Sequence, residues 1–225
     1  MTNREWEQPL ISVDVVAVKL NKVTRELNVF VGKRQYEPNK GKLALPGVLL
    51  LPNERAIEAA QRALDAKVSI PASAVLTLRD VGIVDNPDRD PRGPSLSVVM
   101  LAIVDNDFEV DDEKAQLFTS KELETTELPF DHNSIVRKAL GYLDSLLMSD
   151  KEATKSLLGE VFKTTELHTA FVELHSISGS TASIPDLSNL SRTLKSNPWF
   201  ESQTAEASTR PKGRPASAWG FKKEV

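Results

Sequence analysis

Residues 43–70 read LALPGVLLLPNERAIEAAQRALDAKVSI, and the parsing of this stretch decides the fold. The apolar run before Pro52 suits a strand, the Pro-Asn pair a tight loop, and the alanine-rich segment beyond it a helix. Asn53 is placed to cap that helix, with Glu54 in the first turn, where the helix dipole favours an acid. Ile57, Ala60, Leu64 and Val68 recur at helical spacing, which predicts that they face a core.

Gly47, Glu54 and Arg62 carry a second pattern, with the last two about two helical turns apart. The stretch resembles the Nudix box, G-x5-E-x7-R-E-U-x-E-E-x-G-U with U aliphatic, with one residue inserted between Gly47 and Glu54. In active Nudix proteins three glutamates on this helix hold the divalent metals that polarise a pyrophosphate. This chain has Ala63, Ala66 and Lys67 in those places. Mg²⁺ needs carboxylate oxygens, and two methyl groups and an ammonium supply none. The resemblance therefore implies a nucleotide-diphosphate pocket that has lost hydrolysis, with no catalytic residue, no metal ligand and no cofactor. Val48, where the family usually has a second glycine, departs from the pattern on the phosphate side. Taken without the resemblance, the same segment is an amphipathic core helix.

Working outward, the β-branched, alternating residues 11–20 predict one strand, and residues 28–31 with Gly32 a second. Lys33 and Arg34 follow it. Beyond the helix, a proline-containing break at 69–74 leads to a strand at 75–84, a charged loop from Asp85, and a strand at 96–104 apolar enough for the middle of a sheet. Residues 89–93, RDPRG, resemble the loop of ADP-ribose-type Nudix proteins and of Nudix-related transcriptional regulators. Guanidinium forks at Arg89 and Arg92 suit phosphate and ribose oxygens, and Pro91 limits the entropy lost on gripping a ligand. The resemblance also places a basic strand end, Arg34, beside the pocket. A Phe-Asp-His motif ending at His132 precedes a helix with Ile135, Ala139, Tyr142, Leu143, Leu146 and Leu147 on its apolar face and Asp131 or Asn133 as cap. With no His or Cys close to it in sequence, His132 reads as an orienting or capping residue. The expected ligand-binding set is Arg34, Arg89, Asp90, Arg92 and His132.

Polarity rises at 149–152, which marks a boundary between residues 1–150 and 151–225. A helix at 166–175, capped by Thr164 or Thr165, is followed by a small polar loop at 176–183. Pro185 then suits the first turn of a second helix at 186–196. Leu187, Leu190 and Leu194 form its buried stripe, leaving Asn189, Ser191, Arg192 and Lys195 outward. Strands at 199–203 and 216–222 flank a polar loop, so the order is that of a winged helix-turn-helix. Asn, Ser and Arg are side chains that read base edges and phosphates. The loop tip, KGRP at 212–215, resembles the core of the AT-hook, which fits the narrow minor groove of A·T-rich DNA. Arg210, Lys212 and Arg214 thus join the four helix residues as the expected DNA-binding set. A helical accessory unit with a solvated hairpin is the plainer alternative.

Composition agrees with this division. Hydrophobic and charged residues make up 40% and 27% of 225 residues, as in globular proteins. Residues 1–150 hold 18 Lys/Arg against 24 Asp/Glu, and the remainder 10 against 8. An acidic body with a locally basic end suits contact with a polyanion. No cysteine is present, which removes disulfides and thiolate metal sites. No apolar run has the length of a membrane span, and no signal-peptide pattern opens the chain, so a cytoplasmic, nucleoid-associated location is the default.

The whole chain thus resembles a Nudix-related transcriptional regulator: an α+β, Nudix-like α/β/α sandwich followed by a small winged helix-turn-helix domain. The resemblance implies a homodimeric repressor of an operator in double-stranded DNA, with ADP-ribose or a related NAD-pathway or sugar-nucleotide metabolite as effector. Two other classes stay open. A metal-dependent Nudix pyrophosphohydrolase would have to draw carboxylates from Glu54, Asp88 and Asp90, and an adaptor would use the second unit to bind protein.

Overall fold

The computed structural model describes residues 9–86, 88–111, 113–203 and 218–222. The first sheet is built from β1 (Leu10–Leu20), β2 (Leu27–Lys33), β3 (Leu43–Ala44), β4 (Gly47–Leu49), β5 (Val75–Val84), β6 (Ser95–Val104) and β7 (Ala115–Phe118). Its order is β3-β2-β1-β6-β5, with β4 also on β1 and β7 on β2. β1 and β6 run parallel from Leu10↔Ser95 to Val18↔Ile103, while the other pairings are antiparallel. On its other side, β1 pairs with β4 at residues 12–14 and with β2 at residues 18–20. That division of one strand between two partners frames the cleft described below.

Alternation along β1 assigns its side chains to two layers. Val13, Val15 and Ala17 pack with Ala59, Ala60, Ala63 and Leu64 of α1 (Ala56–Val68). Val16 and Val18 face the opposite side, with Ile135, Ala139 and Leu143 of α3 (His132–Leu146). A short helix, α2 (Ser120–Thr125), has a Thr119–Glu122 capping box that the sequence reading passed over.

The carboxy-terminal part runs α4 (Lys151–Leu158), β8 (Val161–Lys163), α5 (Thr164–Ser178), α6 (Leu187–Ser196), β9 (Phe200–Gln203) and β10 (Ala218–Phe221). The second sheet has the order β8-β10-β9. Helix, strand, two helices and a hairpin make this a winged helix-turn-helix. Its first helix and first strand, α4 and β8, are additions to the sequence reading. No solvent gap separates the two parts: Leu157, Phe162, Phe171, Leu174, Leu194 and Trp219 continue the core that α3 shares with the first sheet.

Several local expectations need correction. α1 begins at Ala56, because Asn53 sits at φ +64° and Glu54 is engaged before the helix starts; Arg55 holds the cap position, and the Glu58 carboxylate accepts from its backbone N–H. Ile57 is 44% exposed, since that register turns it outward from Ala60, Leu64 and Val68. Asp131 holds the cap position of α3, as expected, but its side chain is committed to Arg89 and makes no cap hydrogen bond; Asn133 lies inside the helix, with its side chain on the backbone of 123–128. Thr164 lies inside α5, where its hydroxyl accepts from the Trp219 indole N–H at 2.9 Å. α5 also runs on to Ser178 before Gly179 ends it in the left-handed region. Pro185 precedes the first turn of α6, which Asp186 caps by accepting from the Asn189 N–H; Leu187 is 44% exposed, leaving Leu190 and Leu194 as the buried stripe.

Candidate functional site

A cleft of about 360 Å³ opens above β1, lined by residues of β1 to β4, α1, the 89–92 loop and the start of α3. All five residues expected from the sequence, Arg34, Arg89, Asp90, Arg92 and His132, lie on its wall. Their roles differ.

Arg89 is buried, and its guanidinium is bound on every nitrogen. Nε donates to both carboxylate oxygens of Asp131 at 3.0 Å, Nη1 to the Ser12 hydroxyl at 3.0 Å, and Nη2 to Asp14 at 3.0 Å and Asp131 at 2.8 Å. It ties the loop to β1 and to the head of α3. Asp90 points back along the loop, accepting from the Arg92 guanidinium at 2.6 Å and from the Arg92 backbone N–H at 3.0 Å. Hydrogen bonding to Arg92 holds the Asp90 carboxyl below its ordinary value. Arg34 donates through Nε to the Pro38 carbonyl at 2.9 Å, and its guanidinium lies 4.7 Å from the Phe130 ring centroid. Phe130 sits at φ +60°, a region bulky residues rarely enter. Burial first, then the charge of Arg92, lowers the Arg34 pKa, and the carboxylates of Asp90, Asp14 and Glu37 offset this only in part.

His132 is 2% exposed. Its Nδ1 accepts from the Leu45 N–H at 3.1 Å, which puts the proton of the neutral ring on Nε2, 3.9 Å from Asp14. Burial outweighs the nearby carboxylates and lowers its pKa, so the ring is neutral at pH 7. Asp14 is the group sequence reading missed. Burial pushes its carboxyl up, but His132, the Ser97 hydroxyl at 2.6 Å and Arg89 together hold it below the ordinary value. Its signal was available: an acid interrupts the β-branched run of residues 11–20. Gly47 allows it room, because a Cβ there would lie 2.2 Å from an Asp14 carboxylate oxygen.

Glu54, in the loop before α1, and Arg62, on the helix, form a two-pronged pair at 2.7 Å, and Glu54 also accepts from the Leu51 N–H at 2.9 Å. The pair staples the loop to the helix. Ala63 is fully buried under the sheet and Ala66 is exposed, while Lys67 lines the cleft. A divalent cation of the kind Nudix hydrolases use does not fit these side chains. Among the described residues, no group of three or more His, Asp or Glu side chains is arranged to hold one.

In the winged helix, Asn189, Arg192 and Lys195 are exposed on α6 and Ser191 is half-buried. The Asn189 amide donates to Asp186 at 3.0 Å. Arg210, Lys212 and Arg214 lie outside the described residues. α5, which supports α6, packs along α3, and across that joint His175 Nε2 meets the Asp144 carboxylate at 3.0 Å. No helix among the described residues is long and apolar enough to cross a membrane.

With this geometry in view, an ADP-ribose pyrophosphatase of Methanocaldococcus jannaschii is 30% identical over 137 residues, covering 60% of this chain and 75% of that protein. The ADPR responsive transcriptional repressor NtrR of Acinetobacter baylyi is 28% identical over 149 residues, 63% of this chain and 57% of its own length. A MutT/nudix family protein from Enterococcus faecalis superposes with a TM-score of 0.72 at 21% identity, covering 99% of this chain and 90% of that one. Shewanella oneidensis NrtR gives 0.68 at 19% identity, over 95% and 94%, and has also been solved with a 27mer DNA. The chain belongs to the Nudix family, that of the archaeal pyrophosphatase. The two structures match the fold across both the Nudix-like sandwich and the winged helix-turn-helix. No family model matches the chain.

Proposed function

We propose that this Nudix-related protein is a ligand-gated transcriptional repressor. Residues 1–150 bind ADP-ribose or a related NAD-pathway or sugar-nucleotide metabolite without hydrolysing it, and residues 151–225 bind an operator. A homodimer would set two winged helices on half-sites about one helical turn apart. One observation carries this reading: the helix that should present metal-binding carboxylates turns alanine and lysine to those places, while the same chain continues into a winged helix with outward polar and basic residues on α6. The Acinetobacter relative, itself an ADPR responsive repressor, supports it.

The fold offers a route from ligand to DNA. His132 opens α3 at the cleft floor, and α3 packs along α5, the support of α6. A ligand that shifts the head of α3 would be felt at the α3–α5 joint. The test is retardation of fragments selected from the host genome, with and without ADP-ribose. A change in operator affinity of roughly 5- to 150-fold is expected; no retarded fragment, or retardation indifferent to every nucleotide sugar, overturns the reading. The archaeal pyrophosphatase relative favours hydrolysis as a second reading. Release of AMP from ADP-ribose with Mg²⁺ would establish it, and we expect none.

A further inference from the structure

The geometry points to Lys67 as the charge that takes the place of the divalent cation, so that the cleft binds the diphosphate of a nucleoside-diphosphate sugar without metal. This rests on the cleft being the effector site.

Pairing within the cleft narrows the candidates. Arg62 is bound to Glu54 at 2.7 Å, Arg89 to Asp131 at 2.8 Å and Arg92 to Asp90 at 2.6 Å. A guanidinium already holding a carboxylate adds little net charge for a phosphate. Lys33, Arg34 and Lys67 also line the cleft, and none of the three forms an ion pair among the described residues. Of these, only Lys67 stands at a position where a hydrolase would place a metal-binding glutamate.

Its placement is fixed by backbone. A Cβ at Gly32 would lie 2.7 Å from the Lys67 carbonyl oxygen, so β2 and the last turn of α1 press directly together. The lysine therefore emerges beside Lys33 and Arg34. Its ammonium lies over the Tyr36 ring, 5.8 Å from the centroid, and that ring is itself 70% exposed at the cleft. The C-terminal end of a helix repels anions through its dipole, and a cation in the last turn offsets this. An ammonium with three rotatable donors can bridge non-ester oxygens of adjacent phosphates. Replacing a glutamate–metal pair by one ammonium thus keeps a positive charge at the diphosphate while removing the Lewis acid that activates water.

Calorimetry with ADP-ribose, in EDTA and in Mg²⁺, tests this on the full chain. Wild type should bind equally in both. Lys67→Ala should weaken binding by about ten- to a hundredfold irrespective of metal, while Lys67→Arg keeps most of it and controls for folding. Lys67→Glu should abolish binding in EDTA. Wild-type binding that requires Mg²⁺, or a Lys67→Ala variant that binds as wild type does, overturns the assignment and leaves the effector reading standing. No wild-type binding in either buffer overturns both.

Discussion

The cleft and the outer face of α6 are both rich in polar side chains, yet they spend them differently. In the cleft, Arg89, Asp14, Asp131 and His132 are largely withdrawn from water and turned on one another. On α6, Arg192 and Lys195 stand in solvent and make no ion pair among the described residues. The first arrangement holds backbone in place and leaves only a few cations for a ligand. The second contributes almost nothing to the fold and is available to a partner. Substitutions in the cleft network should therefore cost stability, and those on α6 should cost binding alone.

The largest effect is expected at Arg89. Removing it leaves the Asp14 carboxylate buried beside a neutral histidine and frees Asp131 at the head of α3. Breaking a buried pair in this way costs about 3–5 kcal/mol, and Arg89→Ala should lose that much in urea unfolding. A loss below about 1 kcal/mol would mean that the network is ornamental, and the contrast with α6 would collapse.

That role was only half legible in the sequence. RDPRG marks a ligand loop by resemblance, and the residues do gather at one cleft. Nothing in their spacing says that Arg89 faces inward to Asp14, 75 residues away on another strand. The helical period found α1 and α6, because buried alanines and leucines recur on one face. The start of α1 was misplaced by two residues for a physical reason: Asn53 adopts the left-handed conformation and Glu54 answers Arg62 instead of the helix. β8 went unread because its three residues pair only with a strand more than fifty residues later. Chain pattern reveals local amphipathicity well; it does not reveal which distant polar groups will satisfy each other.

His132 sharpens the comparison through pH. Its folded pKa is depressed, chiefly by burial, so the unfolded chain takes up its proton first. The stability it contributes is full above the ordinary histidine value of about 6.5 and is lost as pH falls below it. Asp14, also depressed, acts in a separate window: its contribution is full above about pH 4 and is lost in stronger acid. Unfolding free energy of the wild type should thus fall between pH 7 and 5, with a slope of at most about 1.4 kcal/mol per unit for one proton. In His132→Gln, whose side chain cannot titrate, that part of the slope should vanish. An unchanged slope would mean that a group other than His132 carries the sensitivity.

The smallest effect on the fold, and the clearest on function, is expected at Arg192. It is exposed on the outer face of α6, and its side chain makes no ion pair among the described residues; Leu190 and Leu194 anchor the helix from the other side. Arg192→Ala should therefore leave stability within about 0.5 kcal/mol of wild type. Each phosphate that an arginine neutralises releases a counterion, so removing one contact should lower the dependence of log affinity on log salt by about one. A weakening that is uniform across operator variants would identify a phosphate contact. One confined to a single base pair would instead place the guanidinium at a base edge in the major groove. Retained affinity with an unchanged salt slope would mean that α6 does not face DNA, and its free polar surface would then belong to a protein partner.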